Sequence, residues 1–361
     1  METVIHLIFF GLVGIVMAVT PYITRKTESF GVTIPEEAYP DPELKKLRKQ
    51  YAASIVVFSI IVAAVFITAQ TGGFLEAGFG LAVIGCIIGD FLIYLFFHQK
   101  MKKMKAAYNW LHEKKQTVMV DPKFRQQKLI FSNAWFLIHA AITAATFLIT
   151  YLFYDRIPDR IVIHYDFNGT PTDWAEKSYR TVFELPTVQL FMLVLFIWMN
   201  TVIAKSKQQL NANDPEKSLR QNVRFRRRWS AFTMVSSFIL ILMFFMIQLS
   251  FIVPIPVGWL SYGGMGAALL ILFGAVILSI TTGQGGSRIR MGNGAVQGSS
   301  HYDDDQYWKL GVFYFNRNDP SVWVEKRFGS GWTINFAHPL GWIVIGLMIL
   351  VPLLLAIFFS S

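Results

Sequence analysis

Eight runs of 18 to 25 mostly apolar residues divide this chain: Thr3–Ile23, Tyr51–Ala69, Phe74–Phe97, Ile130–Phe153, Thr187–Ala204, Trp229–Val253, Trp259–Ile280 and Leu340–Phe359. About 20 helical residues cross a hydrocarbon core. No Lys or Arg interrupts any run. A soluble protein with eight buried helices would need polar faces that these runs lack. Composition agrees, at 53% apolar and 16% charged residues, where soluble domains average about 25% charged. The expected fold is an all-α polytopic membrane protein with eight transmembrane helices. Disorder, a disulfide scaffold and an ordinary cytosolic enzyme are excluded. The single cysteine, Cys86, forms no intrachain disulfide and assembles no cysteine metal site. The first run follows Glu2 and precedes Arg25 and Lys26, which marks a retained span and not a cleaved signal peptide.

The net charge of +10 resides in the connections. Numbered from the first, the odd connections hold 29 of the 33 Lys and Arg, and the even ones hold four, all within 154–186. Basic residues near span ends stay on the cytoplasmic side, held by anionic lipid and the membrane potential. The expectation is therefore N-out/C-out, multi-pass, with four cytoplasmic loops. Arg224, Arg226, Arg227 and Arg228, abutting the sixth run, are expected to contact anionic headgroups. No nucleic-acid recognition motif accompanies the charge, so no nucleic-acid partner is expected.

Five segments follow from this reading. Residues 1–129 carry helices 1–3, 130–204 a helix pair around the extracytoplasmic loop 154–186, and 205–280 helices 6 and 7 with a basic loop. A cytoplasmic segment, 281–339, precedes helix 8 at 340–361. Asp41 and Pro42 read as the cap and first residue of a helix continuing into the second run. In 154–186, alternation from Ile161 to Tyr165 predicts a strand, with Asn168-Gly169 as its turn. In 281–339, Gly283 to Gly298 reads as a flexible tether. Asp303 to Asp305 reads as a solvated turn, with a divalent cation the weaker alternative. Trp308–Phe315, Val322–Val324 and Trp332–Phe336 predict three strands of a small β-rich element.

Within loop 154–186, the pattern Ile157, Pro158, Ile161, His164, Asn168, Gly169, Asp173, Trp174, Lys177 resembles the signature of the SdpI-type bacterial membrane proteins. Phe30 to Pro35 and the stretch from Tyr314 to Ala337 resemble segments of longer relatives, the latter an uncharacterised domain. The resemblance implies a non-enzymatic protein that confers immunity to a secreted peptide, or receives an envelope signal and sequesters a cytoplasmic regulator. It implies ligand contacts by His164, Asp166, Asn168, Asp173, Trp174 and Lys177. From the residues alone, His164 reads first as hydrogen-bonding within the loop and second as a ligand contact, with a metal ion shared with Asp166 and Asp173 the weakest alternative.

Two ionisable groups lie at membrane depth. Asp90 is the one acidic residue within the body of a run, and His139 falls at similar depth in the fourth. A charged Asp at a helix centre costs roughly 3 kcal/mol on insertion scales, so it is a functional candidate. The pair suggests a proton relay, and hence a secondary transporter as the alternative function. The other reading is a structural hydrogen bond between neighbouring helices. No zinc motif, nucleophile elbow or phosphate loop occurs. The chain is expected to be no enzyme and to take no cofactor.

Overall fold

A computed structural model of the chain describes residues 2–72, 75–110, 127–165, 170–209, 214–290 and 303–360. The helices are α1 (Glu2–Ile23), α2 (Pro42–Thr71), α3 (Leu75–Ala107), α4 (Phe136–Leu152), α5 (Tyr179–Lys205), α6 (Pro215–Leu249), α7 (Val257–Thr282) and α8 (Pro339–Ser360). Eight helices among the described residues are long and apolar enough to cross a membrane. The strands pair as four two-stranded antiparallel sheets: β1 (Glu28–Ser29) with β2 (Val32–Thr33), β3 (Arg160–Tyr165) with β4 (Pro171–Glu176), β5 (Trp308–Lys309) with β6 (Phe313–Tyr314), and β7 (Trp323–Glu325) with β8 (Trp332–Ile334).

Three helices run well past the apolar segments that predict them. Asp41 accepts from the Glu43 backbone N–H at 2.7 Å and Pro42 opens α2, so the helix starts one polar segment early, as its cap predicts. Asp214 accepts likewise from Lys217 at 3.0 Å and Pro215 opens α6, fourteen residues ahead of Trp229. α3 continues beyond Phe97 to Ala107 and carries Lys100, Lys102, Lys103 and Lys105 on helix, not loop.

The chain divides into two compact units. The first comprises Met1–Phe124, Ser206–Phe225 and Ser279–His338. Here the 303–338 segment is not a free-standing sheet but packs with the loops of α1–α3. The β1–β2 turn is Phe30-Gly31, both with positive φ (46° and 74°), as a two-residue hairpin requires. Phe30 pays for its unfavourable backbone by placing its ring 5.3 Å from Tyr51, 5.6 Å from Phe97 and 5.9 Å from Phe328. The expected continuous strand 308–315 is instead a hairpin, because Leu310 and Gly311 also take positive φ and turn the chain back. A bridge from Tyr314 to Asn335 joins the β5–β6 and β7–β8 hairpins. The start of the expected tether is anchored, since Gln284 exchanges two hydrogen bonds with the Gly331 backbone at 2.7 and 2.8 Å. The remainder, from 291, lies outside the described residues.

The second unit comprises Arg125–Lys205, Arg226–Leu278 and Pro339–Ser361. α5 and α6 run antiparallel, fixed by three polar rungs. Asn200 meets Ser230 (2.6 Å), Gln189 meets the Ile241 carbonyl (3.0 Å), and Gln248 meets the Val182 carbonyl (3.1 Å). α4 lies alongside, with the Phe131 amide donating to Ser230 at 2.9 Å and His139 beside Ser237. Such side-chain bonds hold helices together where apolar surroundings supply little driving force.

Candidate functional site

The β3–β4 hairpin carries most of the residues marked by the sequence. Its base is rigid. Ile157, Ile161 and Val182 are buried together, with Tyr154, Phe183, Phe251 and Ile252 packed around them. Lys177 closes the base, donating from its backbone to Asp159 at 2.8 Å and from Nζ to the Ile157 carbonyl at 2.8 Å, with its ammonium 4.7 Å from the Tyr154 ring centre. Lys177 is thus a brace of the hairpin base.

Beyond the base the strands project outward. Irregularities around His164 break the alternation, so Ile163, His164 and Tyr165 in succession are all exposed. His164 pairs across the ladder with Asp173, their Nδ1 and Oδ2 3.8 Å apart and the side chains 73% and 61% exposed. That spacing is too long for a hydrogen bond, so both groups retain capacity for a ligand. Asp173 also accepts from the Trp174 backbone at 2.8 Å, and the Trp174 ring stands exposed opposite Val162. The result is an outward surface of one imidazole, one carboxylate, an indole, a phenol and an isoleucine. Asp166 and Asn168 lie outside the described residues, as does the expected turn. No cluster of three or more His, Cys, Asp or Glu suited to a metal occurs among the described residues.

Asp90 is buried on α3 in a stripe with Cys86, Tyr94, Phe97, Met101 and Lys105. Its Oδ1 has no hydrogen-bond partner among the described residues. It belongs to the first unit and His139 to the second. His139 is engaged within its own unit, its Nε2 lying 3.0 Å from Ser237 Oγ and 3.2 Å from the Met234 carbonyl.

Arg224, Arg227 and Arg228 are exposed on α6. Arg226 departs from the expected lipid contact. It is fully buried and donates from Nη1 to the Ile203 carbonyl at 2.6 Å. Helical phase explains this, because Arg226 falls on the same face as Asn222 and Ser230, both buried.

The first unit holds a buried charge network that the sequence does not announce. Arg327 pairs with Asp304 and Asp305 and donates to Thr33 Oγ1 (2.8 Å) and the Gly31 carbonyl (3.2 Å). Lys105 reaches Asp303 and Asp305, each at 2.6 Å. Arg25 pairs with Glu325, which also accepts from Asn222 at 2.8 Å. The acidic triplet is therefore no solvated turn. Burial would raise the Asp305 carboxyl, but Arg327 and Lys105 outweigh it and hold it below its ordinary 3.8. Burial drives Glu28, which sits near these charges, up to about 7 against the pull of Arg25 and Arg327.

Two segments match known family models. Residues 141–190 match a domain of unknown function (DUF1648), which takes in the whole hairpin with its flanking helical segments. Residues 317–342 match a family of unknown function (DUF5808), from the turn after β6 into the start of α8. No curated protein and no solved structure matches the chain. Both matches fall on stretches singled out from the sequence, and neither brings an activity with it.

Proposed function

We propose that this chain is a non-enzymatic, multi-pass protein of the bacterial cytoplasmic membrane, of the SdpI type, that receives an extracytoplasmic peptide or envelope signal through the β3–β4 hairpin. The observation that carries the reading is the contrast within that hairpin. Its base is buried and braced, while His164, Asp173 and Trp174 with Ile163 and Tyr165 stand exposed above it. Aromatic anchors beside polar groups with spare hydrogen-bonding capacity on a packed support are what peptide recognition uses. The placement of 29 of the 33 basic residues supports N-out/C-out, with the hairpin outside and the β5–β8 element, a platform for a cytoplasmic regulator, inside. Arg224, Arg227 and Arg228 then lie where anionic headgroups are.

A deletion strain challenged with secreted antimicrobial peptides tests this reading. Wild type should restore resistance, whereas His164→Ala and Trp174→Ala, inserted at equal level, should not. Full rescue by both variants, or a deletion strain as resistant as its parent, would overturn it.

A secondary transporter is the alternative, favoured by the buried Asp90 carboxylate with an unpartnered oxygen. Transport would make resistance depend on the proton gradient and vanish in Asp90→Asn.

A further inference from the structure

The β5–β6 hairpin belongs to a segment expected outside the membrane, yet it is seated on a part of α3 that lies within an apolar run. The Tyr94 hydroxyl donates to the Leu310 carbonyl at 2.9 Å, and the Phe91 and Phe313 rings stand 6.3 Å apart. Gly311 makes the closest approach. A Cβ there would lie 2.5 Å from the Tyr94 hydroxyl and 2.7 Å from His98 Nδ1.

These contacts fix the depth of the hairpin. From Leu75 to Phe91 α3 rises about 24 Å, less than the roughly 30 Å of a hydrocarbon core. With the far boundary at the start of the helix, Phe91 is still inside the core and Tyr94 is at its edge. Any tilt of α3 sets both deeper.

The chemistry of the hairpin tip agrees. Leu310 has a φ of 52°, a backbone that Leu adopts only at a cost and that Asn or Gly would take readily. Phe30 shares the positive φ but is 1% exposed, held by its packing. Leu310 has no such burial in the protein, being 48% exposed, and Phe313 is 40% exposed. In water neither the backbone nor the exposure would favour Leu at this turn. Lys309 and Arg317, both exposed, flank the apolar tip in sequence. Apolar and aromatic side chains beside cations on long stems are the composition of an interfacial anchor on anionic lipid.

We propose that the β5–β6 hairpin is a membrane anchor, with Leu310 and Phe313 in the acyl boundary of the leaflet from which α3 emerges and Lys309 among its headgroups. Through the Tyr314–Asn335 bridge it holds β7 and β8 at the bilayer surface. The proposal rests on α3 crossing the bilayer, not on which side is outside.

Power-saturation EPR of the full chain in nanodiscs containing anionic lipid tests this, because oxygen concentrates among acyl chains and a nickel chelate stays in water. In a Cys86→Ala background, one nitroxide is attached at Leu310→Cys. Leu92→Cys, 59% exposed on α3, is the lipid reference, and Glu37→Cys, exposed and acidic, the aqueous one. The ratio of oxygen to chelate accessibility at Leu310→Cys should approach that of Leu92→Cys and exceed that of Glu37→Cys by about fivefold, as insertion of about 5–10 Å implies. A second variant needs no label. Leu310→Asn relieves the positive φ, so it would raise Tm if the tip were in water, and should lower it in the same nanodiscs if the tip is in lipid. A ratio at Leu310→Cys equal to that at Glu37→Cys, or a Leu310→Asn protein more stable than wild type, would overturn the proposal.

Discussion

Lys105 Nζ, in the last turn of α3, lies 2.6 Å from Asp305 Oδ2, two hundred positions further along the chain. Asp305 in turn pairs with Arg327 and accepts from the Thr33 backbone and hydroxyl, at 3.1 and 2.9 Å. One carboxylate thereby ties α3, the β1–β2 hairpin and the stretch after β7.

Removing one partner from such a buried network leaves uncompensated charge, which typically costs about 3–5 kcal/mol. Arg327→Met should show this loss in thermal or denaturant unfolding of the purified protein. Lys105→Met should lose less, because Asp305 keeps Arg327 and is partly exposed. Equal stability of Arg327→Met and wild type would contradict the network's role.

Glu28 should contribute to the pH dependence of stability between 5 and 8. Burial lifts its carboxyl from 4.5 to about 7, with Asp304 and Glu325 adding to the rise and Arg25 and Arg327 opposing it. The folded state thus binds a proton more tightly than the unfolded one. That stabilisation is complete below pH 4.5 and is lost as pH rises through 7. Relative to wild type, Glu28→Gln should shift the Tm difference between pH 5 and pH 8 in favour of pH 8. Asp305 acts in the opposite sense, but only under acid conditions, since its lowered pKa adds stability above 3.8 that disappears as pH falls through the depressed value.

Gly31 should resist substitution. Its φ is +74°, and a Cβ there would stand 2.5 Å from the Gly311 carbonyl oxygen and from the Tyr94 hydroxyl. Gly31→Ala should therefore cost more than the roughly 1 kcal/mol of backbone strain alone, read as a drop in Tm or in yield of folded protein. Gly11→Ala, with nothing within 4 Å, is the control and should be close to neutral.

In the hairpin, stability and recognition should separate. Ile161 is 4% exposed in the base cluster, so Ile161→Ala should destabilise by about 2 kcal/mol or more. Ile163 is 44% exposed, and Ile163→Ala should change stability by no more than about 0.5 kcal/mol. Amide exchange of β3 and β4 reads the difference.

The eight apolar runs, the Asp41-Pro42 cap and β3 were legible because each rests on local chemistry. Helix ends were less so. Hydropathy sees where α6 becomes apolar at Trp229, while the helix itself starts at Asp214-Pro215, fourteen residues earlier. Arg226 shows the same limit, since charge suggested a headgroup contact and helical phase turned the side chain inward. The Arg327 network was invisible in principle, joining residues up to three hundred positions apart through no repeating pattern. Lys177 was placed among the ligand contacts by the family resemblance, which carries no sign that its long stem folds back to the Ile157 carbonyl. The Phe30-Gly31 turn breaks the expectation that a bulky residue avoids positive φ.

Reception of an extracytoplasmic ligand depends above all on the hairpin facing out. In a Cys86→Ala background, Thr172→Cys on β4 and Lys309→Cys on β5 offer two exposed reporters. A membrane-impermeant maleimide added to intact cells, with the outer surface accessible, should label Thr172→Cys at once and Lys309→Cys only after permeabilisation. Labelling of Lys309→Cys in intact cells, with Thr172→Cys protected until the membrane is opened, would contradict the account.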